Sequence, residues 1–234
     1  MNQTKQEILN AALNLFSQKG FSAVSIRDIC AVVQIKESTV YYHVKNKEAI
    51  LDDLLAEFQA KSEALIAKMY SCFPNLADGI EAGEKIFEKI LNEYVDNYLA
   101  DSFCNKVIRI LCIDQLNNPK VQKLYSYWLF EKPLEIQKFV FSIFQKEGII
   151  VCEDPAFAAE KFYSPIFFCF SRYLLSGELT ADKINCFKKS VFRHMGEFLK
   201  WKNIVFWEWY LLCFLVSSVA VVCLKKKFLW TIVL

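Results

Sequence analysis

The sequence predicts an all-α protein, and three observations carry that prediction. Only six glycines and five prolines punctuate 234 residues, and no stretch alternates apolar with polar residues as a half-buried strand would. Apolar residues instead recur every three or four positions, the spacing that gathers them on one face of a helix. The breaks between these stretches carry residues that start and stop helices. A chain of this length can bury a proper core as one large or two small domains.

The elements follow in order. A first helix is expected over 4–19, with Ile8, Leu9, Ala12, Leu15 and Phe16 on one face and Gly20 placed to end it. The second, 26–33, has the clearest start: Ser25 stands three residues before Asp28 as in a capping box, with Val24 and Ile29 at the flanking staple positions. A turn at Gln34–Lys36 leads to a compact third helix over 37–44. A longer amphipathic helix begins near Lys47, carrying Ile50, Leu51, Leu54, Leu55, Phe58, Leu65 and Ile66. The loop Pro74–Gly79 marks a boundary, and further helices are expected near 81–99, 102–115, 119–146, 155–176 and 181–202. Asn118-Pro119 and Asp154-Pro155 each read as an N-cap followed by proline in the first turn, and Gly148 and Gly177 close the helices before them. Pro133 and Pro165 are expected to kink theirs, since each removes a backbone bond and crowds the preceding turn. No internal repeat or low-complexity stretch is visible.

Composition narrows the function classes. The formal net charge is +2. In residues 1–50, Lys5, Lys19, Arg27, Lys36, Lys45 and Lys47 face Glu7, Asp28, Glu37 and Glu48, a mild basic surplus. Tight binding to nucleic acid would therefore need two such heads, because affinity grows with the number of phosphates neutralised. The nine cysteines are an odd number, mostly set in apolar helical stretches, with no CxxC pair. They read as buried, reduced thiols of a cytosolic protein; a redox-sensing role is the alternative, and no position stands out for it. With only His43 and His194, no zinc spacing exists, and neither a metal site nor a cofactor is expected. The start of the chain is polar and charged, unlike a signal peptide. No GxGxxG, P-loop, GxSxG or HExxH occurs, so nothing points to an enzyme.

Two short helices joined by a tight turn, on an amphipathic first helix, form the helix-turn-helix layout. A recognition helix offers its polar N-terminal residues to base edges in the major groove, here Lys36, Glu37, Ser38 and Thr39, with Tyr42 and His43 one turn later. Val40 and Tyr41 are assigned to packing. Ser25 and Arg27, opening the second helix, complete the expected contacts. Competing readings stand beside these: Ser25 as a cap alone, His43 as a surface histidine, Lys36 and Lys47 as solvated charges.

The stretch Phe21–Val33, then Ile35, then Ser38–Leu51 with its His43-Val-Lys-Asn-Lys47 run, resembles the TetR family of repressors, and the run is particularly close to tetracycline-repressor-type sequences. The resemblance covers about 55 residues, roughly a quarter of the chain. One departure is Gln34, where the family usually places glycine. The resemblance implies an all-α homodimer held through its last two helices, with a variable domain that binds a small molecule and thereby releases double-stranded operator DNA. It also implies that the Tyr42 hydroxyl and the Lys47 ammonium grip phosphates.

The second domain is crowded with aromatics. Phe103, Trp128, Phe139, Phe162 and Phe167 are candidates to line a pocket for a largely apolar ligand, while any one of them serves equally as core or dimer interface. The stretch Tyr163–Tyr173 is apolar nearly all round and, with Lys188 and Phe192, is the expected dimer interface. No histidine–carboxylate cluster suggests the metal-dependent tetracycline type of site.

The tail makes a separate statement. Ile204–Leu224 is an apolar stretch of 21 residues with one charge, Glu208. At about 1.5 Å per residue it matches a bilayer's hydrocarbon thickness. Trp207, Trp209 and Tyr210 at one end and Trp230 beyond the other resemble an aromatic belt. Lys183, Lys188, Lys189, Arg193, Lys200 and Lys202 before it outnumber Lys225, Lys226 and Lys227 after it, favouring an N-terminal side in the cytoplasm. The readings are a helix tethering the protein to the cytoplasmic membrane, an apolar extension packed in the dimer, or a tail that is not native coding sequence. The expected division is a DNA-binding head over 1–50, a ligand-binding and dimerisation domain over 51–202, and the tail over 203–234. A ligand-responsive dimeric repressor is the leading reading; a membrane-anchored helical interaction protein with a degenerate head is the alternative.

Overall fold

The computed structural model describes residues 3–72, 88–89, 92–146 and 152–198. The chain forms two compact units, residues 1–190 and 191–234. All regular elements among the described residues are helical.

The first unit opens with α1, Gln3–Lys19. Gly20 ends it at φ +83°, donating its N–H to the Phe16 carbonyl at 2.8 Å; only glycine takes this left-handed turn without strain. α2, Ile26–Val33, starts as its sequence predicts. The Ser25 hydroxyl accepts from the Asp28 N–H at 3.2 Å and the Asp28 carboxylate accepts from the Ser25 N–H at 2.7 Å, with Val24 and Ile29 both buried. α3 is Glu37–His43 and α4 is Lys47–Cys72, the latter capped by Asn46, whose side-chain oxygen accepts from the Ala49 N–H. Residues 92–99 are helical and end in a π turn, Val95–Leu99. α5 is Ser102–Asp114 and α6 is Pro119–Ser126, capped by Asp101 and Asn118. A second π turn, Tyr127–Glu131, leads into α7, Lys132–Lys146. α8, Pro155–Tyr173, is capped by Asp154 and runs through Pro165. Residues 181–190 form α9, and in the second unit residues 191–198 are helical.

The expected single helix over 119–146 is thus three segments, and Pro133 supplies the reason. Without an N–H it cannot bond the Leu129 carbonyl, the partner it would have in an α-helix. The Lys132 N–H reaches back five residues to Tyr127, and the Tyr163 hydroxyl of α8 donates to the freed Leu129 carbonyl at 2.6 Å. The kink takes the form of a π turn stitched to a neighbouring helix. Of the expected helix 81–99, only 88–89 and 92–99 are described. The Pro74–Gly79 loop, Gly148 and the tail from 203 onward, including Ile204–Leu224, lie outside the described residues. Among those described, no helix is long and apolar enough to cross a membrane.

α1 packs on α5, and α7 packs on α8. α5 ties the head to the rest of its unit. At its end, the buried Asp114 carboxylate accepts from the Phe21 N–H at 2.8 Å. At its start, the Asn105 amide donates to the Leu99 and Leu174 carbonyls at 3.0 and 3.1 Å. Arg109 donates to the Asn105 side-chain oxygen at 2.9 Å and to Leu174 at 3.0 Å. An exposed Lys120–Asp52 ion pair adds a link between α6 and α4.

Candidate functional site

The head places a short helix at the surface on a single buried anchor. Val40 is fully buried and Val44, one turn on, is nearly so. This leaves Lys36, Ser38 and Tyr42 exposed, and Glu37, Thr39 and His43 half-buried beside them. Tyr42 is 83% exposed, its ring meeting His43 edge-on at 5.0 Å. Tyr41, assigned to packing by its sequence position, is instead 52% exposed. One residue is about 100° of helical rotation, enough to carry it off the narrow face that Val40 and Val44 bury. The turn before α3 is held by Gln34 at φ 60°, ψ 42°, the one non-glycine residue in the left-handed region among the described residues.

Arg27 and Glu37, two expected contacts, are paired with each other at 2.9 Å. The carboxylate's hydrogen bond holds the Arg27 guanidinium above its ordinary pKa, and the pair clips the start of α2 to the start of α3. The Ser25 hydroxyl, besides capping α2, donates to the Asp28 carboxylate at 2.7 Å, which keeps that carboxyl below its usual range. Lys47 donates to the Phe21 and Val24 carbonyls at 2.9 and 2.8 Å, and its ammonium lies 4.2 Å from the Phe21 ring centre. An ammonium has three protons, so Lys47 keeps one for an outside partner while bracing the entry to α2.

The second unit of chemistry is a cavity of about 100 Å³ lined by α4, the residue 92–99 stretch, the Tyr127–Glu131 turn, α7 and α8. Of the five expected pocket residues, Trp128 and Phe162 line it. Phe167 lines a smaller void next to it, shared with Tyr98, Trp128 and Tyr163. Phe103 lies elsewhere, under the Lys61 ammonium at 4.4 Å. Phe139 is 46% exposed on the outer side of α7, against the Tyr70 ring. The sequence reasoning missed Tyr94, Tyr98, Gln137 and Tyr163. Burial pushes Tyr94, Tyr98 and Tyr163 well above the ordinary phenol pKa, so the walls present neutral hydroxyls. Lys132, at the rim, is held by both oxygens of Glu135 at 2.9 and 3.0 Å. No group of residues among those described could hold a metal ion. Burial pushes the Cys104 and Cys112 thiols up to about 12 and about 11, leaving them protonated and unreactive.

Residues 8–54 match the family described as bacterial regulatory proteins, tetR family. The TetC protein of transposon Tn10 from Escherichia coli is 33% identical over 94 residues, 40% of this chain and 46% of that protein. The transcriptional regulator UidR of Escherichia coli K12 is 36% identical over 61 residues, 26% of this chain and 31% of its own length. The chain therefore spans less than half the length of either relative. A solved structure assigned to the TetR family, from Mesorhizobium loti, superposes with a TM-score of 0.59 at 19% identity, covering 86% of this chain and 98% of that one. The similarity in sequence is concentrated where α1 to α3 build the helix-turn-helix, and the similarity in fold extends through the helices behind it. Over residues 8–54 the chain is thus similar to the tetR family of bacterial regulatory proteins, and its helical fold is similar to that of a solved structure assigned to that family.

Proposed function

We propose that this protein is a dimeric DNA-binding repressor, released from its operator by a small, mostly apolar molecule bound in the α4–α7–α8 cavity. The observation that carries the reading is the α2–turn–α3 unit, which turns Lys36, Ser38 and Tyr42 outward on a helix anchored by Val40. Ser38 and Thr39 sit at the end of α3 that would enter the major groove. In this reading Lys36 joins them at the base edges, while Tyr42 and the third proton of Lys47 meet phosphates. The Arg27–Glu37 pair can open on DNA, since an exposed pair contributes little to stability. Two heads are required by the modest charge of one. The second copy has a natural seat on α8, where Phe157 and the 62% exposed Phe168 face outward. In this reading residues 1–50 are the head, 51–202 the effector and dimer domain, and Ile204–Leu224 a tether to the inner face of the cytoplasmic membrane.

The test is a mobility shift on DNA upstream of the protein's own gene, with stoichiometry and salt dependence measured. Two chains per duplex are expected. Tyr42→Ala and Lys47→Ala should weaken binding about equally on all sequences, Lys47→Ala lowering the salt slope by roughly one. Thr39→Ala should change sequence preference by about 1 kcal/mol or more. Unchanged affinity and salt slope for Lys47→Ala would remove its phosphate role. Absence of any sequence-selective complex would favour the alternative, an interaction protein with a degenerate head.

A further inference from the structure

Three buried side-chain atoms among the described residues lack a well-formed hydrogen bond: the Tyr98 hydroxyl, which has only Ser62 beside it, the Trp128 indole nitrogen and the Gln137 carbonyl oxygen. All three residues line the same cavity. Such atoms are rare because each forfeits the hydrogen bonds water gave it in the unfolded chain. Three in one cavity mark a place built to meet a polar group inside an apolar shell. Tyr98 and Trp128, moreover, each sit in one of the two π turns, a local irregularity that recurs at functional sites.

We propose that the cavity takes a small, uncharged, single-ring aromatic molecule bearing a hydroxyl group, and that Trp128 and Gln137 read that hydroxyl. The inference rests on the reading of the cavity as the effector site, and gives that effector a chemical class. The indole N–H needs an acceptor and the amide oxygen needs a donor; a hydroxyl is the smallest single group that is both. Tyr98 adds a second hydroxyl, beside Ser62, whose own proton goes to the Phe58 carbonyl at 2.7 Å. A carboxylate would satisfy Trp128 and leave the Gln137 carbonyl oxygen unanswered, and the lining's one cation, Lys132, is already held by Glu135. An ammonium would satisfy Gln137, offers no acceptor to Trp128, and meets no acidic residue in the lining. Size and wall chemistry fix the rest. The cavity is of the same order as an engineered cavity of about 150 Å³ that holds benzene, and Tyr94, Phe141 and Phe162 supply ring faces and edges to pack against.

The test uses the full-length protein, isothermal titration, and three probes of one shape: 4-methylphenol, toluene and 4-methylbenzoate. The expected result is 4-methylphenol at least about tenfold tighter than toluene, with 4-methylbenzoate no tighter than toluene. Gln137→Leu and Trp128→Phe should each bring 4-methylphenol to within about threefold of toluene while leaving toluene's own affinity within about threefold. Toluene binding as tightly as 4-methylphenol in the unmodified protein, 4-methylbenzoate binding best, or none of the three binding, overturns the proposal. A parallel mobility shift separates it from the broader reading. Selective binding of 4-methylphenol without release of DNA upholds the hydroxyl-reading site and removes its effector role. Release by toluene and 4-methylphenol alike, at equal concentrations, upholds the effector role and removes the hydroxyl preference.

Discussion

Gly20 stands where the head meets α5, and its replacement by alanine is the sharpest structural perturbation available. A Cβ at this position would lie 2.8 Å from Ile113 Cγ2 and 3.4 and 3.5 Å from the two carboxylate oxygens of Asp114. Carbon atoms in contact prefer about 3.5–4.0 Å, so Ile113 must retreat by roughly 0.7 Å. Ile113 is 42% exposed and can turn toward solvent, at about 0.5–1.5 kcal/mol for an off-rotamer side chain. The φ of +83° adds about 1–2 kcal/mol for a residue with a Cβ, of which about 0.4–1 is returned because alanine narrows the unfolded ensemble. The net expectation for Gly20→Ala is a loss of about 2 kcal/mol, read from the urea midpoint at unchanged m-value by circular dichroism. Made in an Ile113→Ala background, the same change should cost about 1 kcal/mol less, because the steric share is gone and the dihedral share remains. A loss under about 0.5 kcal/mol, or the same loss in both backgrounds, would refute this account of the contact.

Gln34→Gly should raise the melting temperature, since it removes a left-handed non-glycine residue at a turn; the gain is at most about 1 kcal/mol after glycine's entropic cost, and a lower melting temperature would refute the strain. For the tail, the full-length protein should pellet with membranes and resist carbonate and high salt, whereas a chain ended at Lys202 should stay in the supernatant. A full-length protein that fractionates without detergent as a dimer would assign Ile204–Leu224 to the dimer instead.

Local signals were legible because they act over three or four residues. The Ser25–Asp28 box, the Asn118-Pro119 and Asp154-Pro155 starts and Gly20 each decide a helix end within reach of one side chain. The departure at Gln34 was legible too, as a non-glycine residue in a turn where the family usually places glycine. The cavity was not, and Trp128 and Gln137 show why. Nine residues apart, they would face opposite sides of an unbroken α-helix, at about 100° per residue. The π turn at Tyr127–Glu131 takes up an extra residue, which brings the two toward one side. Periodicity counts turns of one kind and cannot register that slip. Phe139 failed for the converse reason: it has the right spacing for a helix face, but it is half-exposed against Tyr70 and does not line the cavity. Tyr41 failed because a seven-residue helix buries too narrow a face for spacing to separate neighbours. Lys47 was legible as a charge, whereas its two carbonyl partners, Phe21 and Val24, are more than twenty residues away in sequence.

The proposed response to a ligand has a physical route in the same structure, and α5 carries it. Tyr98 lines the cavity; the next residue, Leu99, gives its carbonyl to the Asn105 amide in the second turn of α5. The far end of α5 holds the head through Asp114 and Phe21, with Ile113 against Gly20. Between these points the helix is an uninterrupted α-helix, Ser102–Asp114, about 20 Å long, and Arg109 pins its middle to Leu174. A ligand that draws the Tyr98 hydroxyl inward acts on a residue adjacent to the bond that fixes the start of this rod. A shift at that end must appear at the other as translation or tilt, because a hydrogen-bonded helix does not shorten to absorb it. This contiguity specifies where coupling must fail. Asn105→Ala should leave 4-methylphenol bound and DNA bound, while abolishing the effect of one on the other.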